Sequence, residues 1–194
     1  MYITIEGIDT SGKSTQVEML SKHFKDAIIT KEPGATKLGS KIRDIVLKTQ
    51  AQSKKAEFLL FLADRAEHIK EVIEPNIKKT IISDRSVVSG VAYALVQGEM
   101  SQTAILHLNR FATNGIYPQK VFLLKLTKEE LEFRLSQKKL DGIELRGVEY
   151  LLKIQDAIIE VTKLLNLDLV SIDATQSIED ITNKILDNMK EKDD

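Results

Sequence analysis

Residues 7–14 carry the residue types and spacing of a phosphate-binding loop. They read Gly-Ile-Asp-Thr-Ser-Gly-Lys-Ser and fit the pattern G-x-x-x-x-G-K-[ST] at every fixed position. The glycines of this pattern allow backbone N–H groups to turn inward around an anion. Lys13 can reach the β- and γ-phosphates of a nucleotide, and the Ser14 hydroxyl can bind Mg²⁺. The segment therefore predicts a site for a nucleoside triphosphate and its magnesium ion.

The sequence on either side of this loop supplies the strand and the helix that such a site requires. Residues 1–6 alternate β-branched and aromatic residues with polar ones, which is typical of a strand. After the loop, the apolar residues Val17, Leu20 and Phe24 recur at helical spacing. A helix N-terminus adds positive potential at the loop. The alternative, a Gly-Lys-Ser turn that binds nothing, does not account for this strand–loop–helix order.

A second charged pair, Asp84 and Arg85, directly follows the predicted strand 80–83. Ligands of parallel α/β sheets bind at the carboxyl ends of the strands. Arg85 is suited to hold a phosphate through two hydrogen bonds, and Asp84 is suited to hold a Mg²⁺-bound water or to orient Arg85. The alternative is an aspartate that caps a helix beside a surface arginine.

The predicted helix 54–74 places an aromatic ring beside a cation. Phe61 and Arg65 are four residues apart, so they lie one above the other on the helix surface. This arrangement suits a planar base, because the ring stacks on the base and the guanidinium donates to a carbonyl. The pattern leaves open whether Phe61 is only a core residue. The adjoining face is predicted to be an apolar stripe that consists of Leu59, Leu62, Ala66, Ile69 and Ile73.

Short apolar strands alternate with helical patterns along the chain. The predicted strands are 1–6, 27–30, 80–83, 120–126 and 168–172. The predicted helices are 13–25, 38–49, 54–74, 86–97, 101–113, 128–137, 148–166 and 177–189. Strands separated by helices of this length need right-handed crossovers, so they form a mostly parallel sheet with helices on both faces. We therefore expect a three-layer α/β/α fold with a central five-stranded sheet, formed by residues 1–190 as one domain.

The composition argues against several classes of protein. The 194 residues have a net charge of −1, and the charges are interspersed, so no basic face for nucleic acid or membrane is predicted. The chain has no cysteine, which excludes disulfides, thiolate metal sites and a cysteine nucleophile. The sequence shows no signal-like segment and no apolar run near 18 residues. We therefore expect a soluble, cytoplasmic protein.

Taken together, these segments resemble the thymidylate kinase family nearly from end to end. The resemblance rests on the loop with Asp9 inside it, on residues 30–36, 60–65 and 172–174, and on Asp84-Arg85 followed by Ser89, Gly90, Ala92 and Tyr93. It implies a P-loop kinase fold and transfer of the γ-phosphoryl group of ATP to dTMP, which gives dTDP and ADP. It also implies Mg²⁺ as the cofactor and a homodimer.

The resemblance assigns roles to individual residues. The implied catalytic residues are Lys13, Asp9, Arg85 and Asp84, and the implied Mg²⁺ site involves Ser14 and Asp9. ATP would be bound by Gly7, Ile8, Asp9, Thr10, Ser11, Gly12, Lys13, Ser14, Thr15, Arg134, Ala174 and Gln176. The nucleotide dTMP would be bound by Asp9, Glu32, Arg43, Phe61, Arg65, Arg85, Ser89 and Tyr93. Among these, Phe61 would stack on thymine, Arg65 would bond a base oxygen, and Tyr93 would exclude a ribose 2′-hydroxyl.

The charge-stabilising arginine of the family is missing from both of its usual places. Members of the family carry it either in the phosphate loop, after the aspartate, or in a mobile lid. Thr10 occupies the first place and Gly142 the second. A short lid is expected at about 136–148, and its candidate replacements are Lys138, Lys139 and Arg146. A lysine would act there as a point charge rather than as a planar fork.

Two other functions stay open at the level of sequence. The first is a kinase for another pyrimidine nucleotide or for a deoxynucleoside, although Phe61, Arg65 and Tyr93 favour a pyrimidine deoxynucleotide. The second is a nucleotide-dependent switch without catalytic activity. The Asn-Lys-x-Asp segment with which GTPase switches select guanine is missing from the chain.

Overall fold

Five strands form one sheet in the computed structural model, which describes residues 1–48, 51–138 and 144–190. The strands are β1 (Tyr2–Glu6), β2 (Ile28–Lys31), β3 (Ile81–Asp84), β4 (Lys120–Lys125) and β5 (Asp168–Asp173). Their order across the sheet is β2-β3-β1-β4-β5, and every pair of neighbours is parallel. The predicted strands agree with these bounds to within one residue at each end.

Helices connect the strands, as the spacing of apolar residues predicts. They are α1 (Lys13–His23), α2 (Lys37–Lys48), α3 (Lys54–His68), α4 (Glu74–Asn76), α5 (Val87–Gln97), α6 (Gln102–Thr113), α7 (Lys128–Ser136), α8 (Val148–Leu164) and α9 (Ile178–Met189). Right-handed crossovers place α1, between β1 and β2, on one face and the helices of the remaining crossovers on the other. The packing agrees, since α1 contacts α9 while α5 contacts α6 and α8. The three-layer arrangement is therefore confirmed.

The helix predicted at 54–74 differs from the structure in two respects. The α-helix ends at His68 and continues as a π-helical turn, Ile69–Ile73. The predicted apolar stripe is also partly wrong, because Leu59 is 55% exposed and Ala66 is exposed. The face of α3 that packs inward instead contains buried polar residues, which a hydropathy pattern assigns to the surface. These residues are Asp64, Arg65 and His68.

The order of the strands places the phosphate loop where ligands of such sheets bind. From β1 the chain crosses to β2 at one edge, whereas the later crossovers carry it to β4 and β5 on the other side. The loop after β1 therefore lies at the point where the winding direction reverses, at the carboxyl ends of the strands. The end of β3 lies directly beside it, because Ile5 pairs with Asp84 in the register of the two strands. No helix within the described ranges is long and apolar enough to cross a bilayer.

Candidate functional site

The phosphate loop has the backbone geometry that its glycines predict. Gly7 has a φ of 151°, and a Cβ atom there would lie 2.9 Å from the carbonyl oxygen of Leu124. Gly12 adopts a left-handed conformation with a φ of 95° and caps α1, which begins at Lys13. Only glycine adopts such conformations without cost. The sequence therefore bends the loop back over the N-terminus of α1, where backbone N–H groups and the helix dipole favour an anion.

Lys13 is held inside this loop. Its Nζ donates a hydrogen bond to the carbonyl oxygen of Ile8 at 2.8 Å, and its side chain is buried. Burial, together with the nearby positive charge of Arg85, lowers the pKa of Lys13 to about 7. An anionic ligand in the loop would favour the charged form of Lys13, so binding of a phosphate and protonation of this amine support each other.

Ser14 and Asp84 together offer oxygen atoms for a divalent cation. The Ser14 hydroxyl donates to Oδ2 of Asp84 at 2.7 Å, which joins the start of α1 to the end of β3. Hydroxyl and carboxylate oxygens are ligands that Mg²⁺ accepts, usually together with water and substrate phosphates. The two residues therefore fit a magnesium site beside the phosphate loop. Of the two roles predicted for Asp84, its hydrogen bond to Ser14 favours support of the metal ion over orientation of Arg85.

Arg85 and Asp9 form the ion pair at the centre of the site. Nη2 of Arg85 lies 2.6 Å from Oδ1 of Asp9, and Nη1 donates to the carbonyl oxygen of Gly7 and to the Ser89 hydroxyl. The backbone of Arg85 is left-handed, with a φ of 68°, which is uncommon for a residue with a side chain and is found at functional sites. Burial alone would raise the pKa of Asp9, but Arg85 and Lys13 outweigh it and hold the pKa below its usual value. Asp9 is therefore ionised.

Two cavities meet at this ion pair. The first, which we term the phosphate cavity, has a volume of about 500 Å³ and is lined by the loop residues Asp9, Thr10, Gly12, Lys13, Ser14 and Thr15 and by Asp84, Lys138 and Glu144. The second, which we term the acceptor cavity, has a volume of about 220 Å³ and is lined by Phe61, Arg65, Ser89, Gly90, Tyr93 and Arg146, among others. Among the residues that the structure describes, four line both cavities: Asp9, Glu32, Arg43 and Arg85.

All eight residues that the resemblance assigns to the acceptor nucleotide line the acceptor cavity. The Tyr93 hydroxyl is buried there without a hydrogen-bond partner among the described residues. Burial raises the pKa of Tyr93 to about 12, so its hydroxyl stays protonated and can donate to a ligand. The Ser89 hydroxyl, in contrast, donates to the buried Glu6 and accepts from Arg85. Ser89 therefore supports Arg85 in addition to facing the cavity.

Three of the predicted ATP-binding residues, Arg134, Ala174 and Gln176, do not line the phosphate cavity. Arg134 donates to the carbonyl oxygen of Thr10 at 2.9 Å and to that of Ala174 at 2.7 Å. It thereby connects the phosphate loop to the turn after β5, which also contains the half-buried Gln176. Gly7, Ile8 and Ser11 form the buried base of the loop rather than its lining. The proposed contacts with adenine stay predictions.

This geometry can be compared with known proteins. The sequence profile of the family described as "Thymidylate kinase" matches residues 5–185. The chain belongs to the thymidylate kinase family. It is 75% identical over 189 residues to a thymidylate kinase of Sulfurimonas denitrificans, covering 97% of this chain and 99% of that protein. It is 54% identical over 192 residues to one of Aliarcobacter butzleri, covering 99% and 100%.

A solved structure supports the same family. The crystal structure of thymidylate kinase from Ehrlichia chaffeensis aligns with a TM-score of 0.75 at 26% identity, and the alignment covers 98% of each chain. The family resemblance and the P-loop kinase fold predicted from the sequence are thereby confirmed.

The basic residues predicted as lid candidates occupy different places. Lys138 lies at the phosphate cavity, where its Nζ is 2.8 Å from Oε1 of the buried Glu144. Arg146 lies at the acceptor cavity, where it donates to the Tyr150 hydroxyl at 2.9 Å and lies over the Tyr150 ring. Lys139 and Gly142 fall outside the described residues. The structure thus separates two of the three candidates by the cavity that they face.

Two residues that support the site, His68 and Asn109, were missed at the level of sequence. They surround Arg65 and Glu32, both predicted to bind dTMP, and Glu32 is buried and bonded to Arg65 and His68. His68 is one turn from Arg65 on α3, and this i,i+3 spacing was the available signal. The partner of Arg65 on α6, Asn109, gave no signal, because the contact joins residues far apart in the sequence.

The pairing of Ser14 with Asp84 predicts how magnesium affects nucleotide binding. We expect Asp84→Ala to reduce the gain in affinity that Mg²⁺ gives to a fluorescent ATP analogue by about tenfold or more, because a supporting ligand of the metal is lost. Affinity in EDTA should change much less. Asp187→Ala, a surface carboxylate paired with Lys190, is the matched control. An unchanged magnesium effect in the Asp84 variant would show that this carboxylate does not support the metal.

Proposed function

We propose that this protein transfers the γ-phosphoryl group of ATP to dTMP, giving dTDP and ADP, with Mg²⁺ as its cofactor. Membership of the thymidylate kinase family supports the reaction. The position of the Asp9–Arg85 pair supports this reaction at this site, because the pair lines both the phosphate cavity and the acceptor cavity. A group held at this pair is within reach of ligands from both sides, as transfer between two nucleotides requires.

On the donor side, the loop and Lys13 hold the phosphates of ATP. Ser14 and Asp84 hold the magnesium ion, which neutralises charge on the phosphates when it is bound. Arg134 stands between the phosphate loop and the turn at Ala174, where we place the adenine. These residues fix the donor, and phosphoryl transfer depends mainly on such positioning and on charge neutralisation.

On the acceptor side, Arg85 holds the phosphate of dTMP while Asp9 keeps its guanidinium in place. Phe61 lines the cavity as a half-buried ring against which thymine stacks, and Arg65 donates to a base oxygen. Arg85 lies over the ring of Tyr93, 5.9 Å from its centroid. The role that we propose for Tyr93 is to exclude a ribose 2′-hydroxyl. No general base is required, because a phosphate monoester is already an anionic nucleophile. Closure of the lid, residues 136–148 in our proposal, excludes water as a competing acceptor.

A panel of acceptors tests the reaction. In a coupled assay for ADP release, dTMP should be the best acceptor, and removal of Mg²⁺ with EDTA should abolish turnover. Lys13→Ala should also abolish turnover while the circular dichroism spectrum stays that of the wild type. Faster phosphorylation of dUMP, dCMP or thymidine would contradict the acceptor that we propose. Release of ADP at the same rate without any acceptor would favour the nucleotide-dependent switch.

Lys138 is our choice for the residue that replaces the missing arginine of the family. It lies at the phosphate cavity, and its charge contributes to the lowered pKa of Asp9. The buried carboxylate of Glu144 holds its amine at this place. Arg146 faces the other cavity and is bonded to Tyr150, so it is better placed to contact the acceptor than the transferring group.

Alanine substitutions separate these lid residues. Lys138→Ala should lower kcat by about 100-fold, as the loss of one donor to developing charge does elsewhere. Lys138→Arg should restore much of it. Arg146→Ala should raise the KM for dTMP with little change in kcat, and Lys139→Ala should have a small effect. Comparable small losses in all three alanine variants would show that the stabilising charge lies elsewhere.

We further propose a homodimer, as the family resemblance implies. Helices α3 and α6 contact each other and expose apolar side chains that have no role in the two cavities. Leu59 on α3 is 55% exposed and Phe111 on α6 is 82% exposed, with Leu108 beside it at helical spacing. Exposed apolar residues grouped in this way mark interaction surfaces. The family resemblance favours a second copy of the chain as the partner that binds this surface.

Both proposed substrates are nucleotides of the cytoplasm, and we infer that compartment for the enzyme.

The oligomeric state tests this surface. Phe111→Asp should shift the protein from dimer to monomer in sedimentation velocity at micromolar concentration, because a charge would be buried at the interface without a partner. Phe133→Asp is the matched control, since Phe133 is similarly exposed on α7. A wild-type protein that sediments as a monomer, or a Phe111 variant that stays dimeric, would contradict the proposed interface.

A further inference from the structure

Four buried polar side chains form a continuous chain from β2 to the acceptor cavity. Oγ1 of Thr30 lies 2.7 Å from Nε2 of His68, and Nδ1 of His68 lies 3.0 Å from Oε1 of Glu32. Oε2 of Glu32 then accepts a hydrogen bond from Nε of Arg65 at 2.9 Å. Each of these residues is less than 9% exposed, and His68 is fully buried. The ring nitrogens of His68 therefore depend on Thr30 and Glu32 for their hydrogen bonds.

The direction of the hydrogen bonds in this chain follows from the charge of Glu32. Burial alone would raise the pKa of Glu32, but Arg65 and His68 outweigh it and hold the pKa below its usual value, so the carboxylate only accepts hydrogen bonds. Nδ1 of His68 must therefore carry a proton. In a neutral imidazole Nε2 is then an acceptor, and the Thr30 hydroxyl donates to it. Nδ1 of His68 thus holds Glu32, while Nε2 fixes the ring to Thr30.

Two of the three guanidinium nitrogens of Arg65 are held by hydrogen bonds, and the third is left for a ligand. Nε donates to Glu32, and Nη1 donates to Oδ1 of Asn109 at 2.6 Å. Nη2 lies against Gly90, where a Cβ atom would be only 2.3 Å from it. Within the described residues, Nη2 has no hydrogen-bond partner, and Arg65 lines the acceptor cavity. Nη2 is therefore the part of the guanidinium available to a bound ligand.

We propose that His68 is a positioning residue of the acceptor site. It fixes the carboxylate of Glu32, which fixes the Nε edge of Arg65 and so aims Nη2 at a carbonyl oxygen of the acceptor base. The identity of that base rests on the proposed function. A buried carboxylate that loses one of its two partners is costly to leave unpaired, so Glu32 shifts when His68 is removed and Arg65 shifts with it.

Three substitutions of His68 distinguish positioning from a general effect on stability. His68→Leu removes the donor to Glu32 and should raise the KM for dTMP about tenfold, the equivalent of one charge-assisted hydrogen bond, with the KM for ATP unchanged. His68→Asn keeps an N–H where Nδ1 stood and should return the KM for dTMP to within about threefold of the wild type. His68→Gln places its amide toward Thr30 instead and should not rescue. If the Leu variant does not fold, the difference in KM for dTMP between the Asn and Gln variants still tests the proposal.

Gln155→Leu is the control for loss of a buried polar contact elsewhere. Its amide makes hydrogen bonds to both backbone groups of Leu126, away from the two cavities. This variant should lower Tm without changing the KM for dTMP. If His68→Leu behaved in the same way, or if His68→Asn and His68→Gln were equally impaired, a positioning role for His68 would be wrong.

A second readout does not depend on the substrate. The Nε–H resonance of Arg65 in a ¹H–¹⁵N spectrum, assigned through its loss in Arg65→Lys, should shift in His68→Leu and return toward its wild-type position in His68→Asn. A wild-type enzyme that fails to phosphorylate dTMP would overturn the proposed function, while this spectrum would still test the contact chain. A wild-type enzyme active on dTMP, with the Arg65 resonance unmoved in His68→Leu, would overturn the chain alone.

Discussion

The ion pair between Asp9 and Arg85 joins the phosphate loop to the end of β3, and the rest of the site is arranged around it. Parallel pairing of β1 with β3 brings the two residues together, because Ile5 and Asp84 are partners in the register and the Arg85 N–H donates to the carbonyl oxygen of Ile5 at 3.0 Å. The hydrogen bond between Ser14 and Asp84 adds a second link between the same two segments. A site for two ligands thus follows from the sheet order, which places both strand ends side by side.

Burial disfavours the charged form of Lys13 at this site. Lys13 is buried and Arg85 is half-buried, and the carboxylates near them are Asp9, Asp84 and Glu6. The lowered pKa of Lys13 shows that burial and the charge of Arg85 outweigh these carboxylates. A bound phosphate brings further negative charge close to the amine of Lys13. Because that charge stabilises the protonated amine, the buried Lys13 favours an anionic ligand in the loop.

Local features were predictable from the sequence, whereas long-range contacts were not. The glycine loop, the strands and most helix bounds follow from turn chemistry and from the period of apolar residues. The predicted α3 stripe was partly wrong at Leu59, because the inward face of that helix is occupied by a buried polar network. His68 and Asn109 were missed because their hydrogen-bond partners lie on other elements. Only the folded chain shows that these two polar residues are buried.

We propose that the phosphate cavity and the acceptor cavity form one site across the Asp9–Arg85 pair. Adenosine and thymidine joined 5′ to 5′ by five phosphates form a single molecule that can occupy both cavities, and its binding tests this proposal. We predict that it competes with both ATP and dTMP and binds at least about 100-fold more tightly than either nucleotide, because the second contact becomes intramolecular. Competition with only one substrate, or an affinity no better than that of the nucleotides alone, would show that the two cavities are not one site.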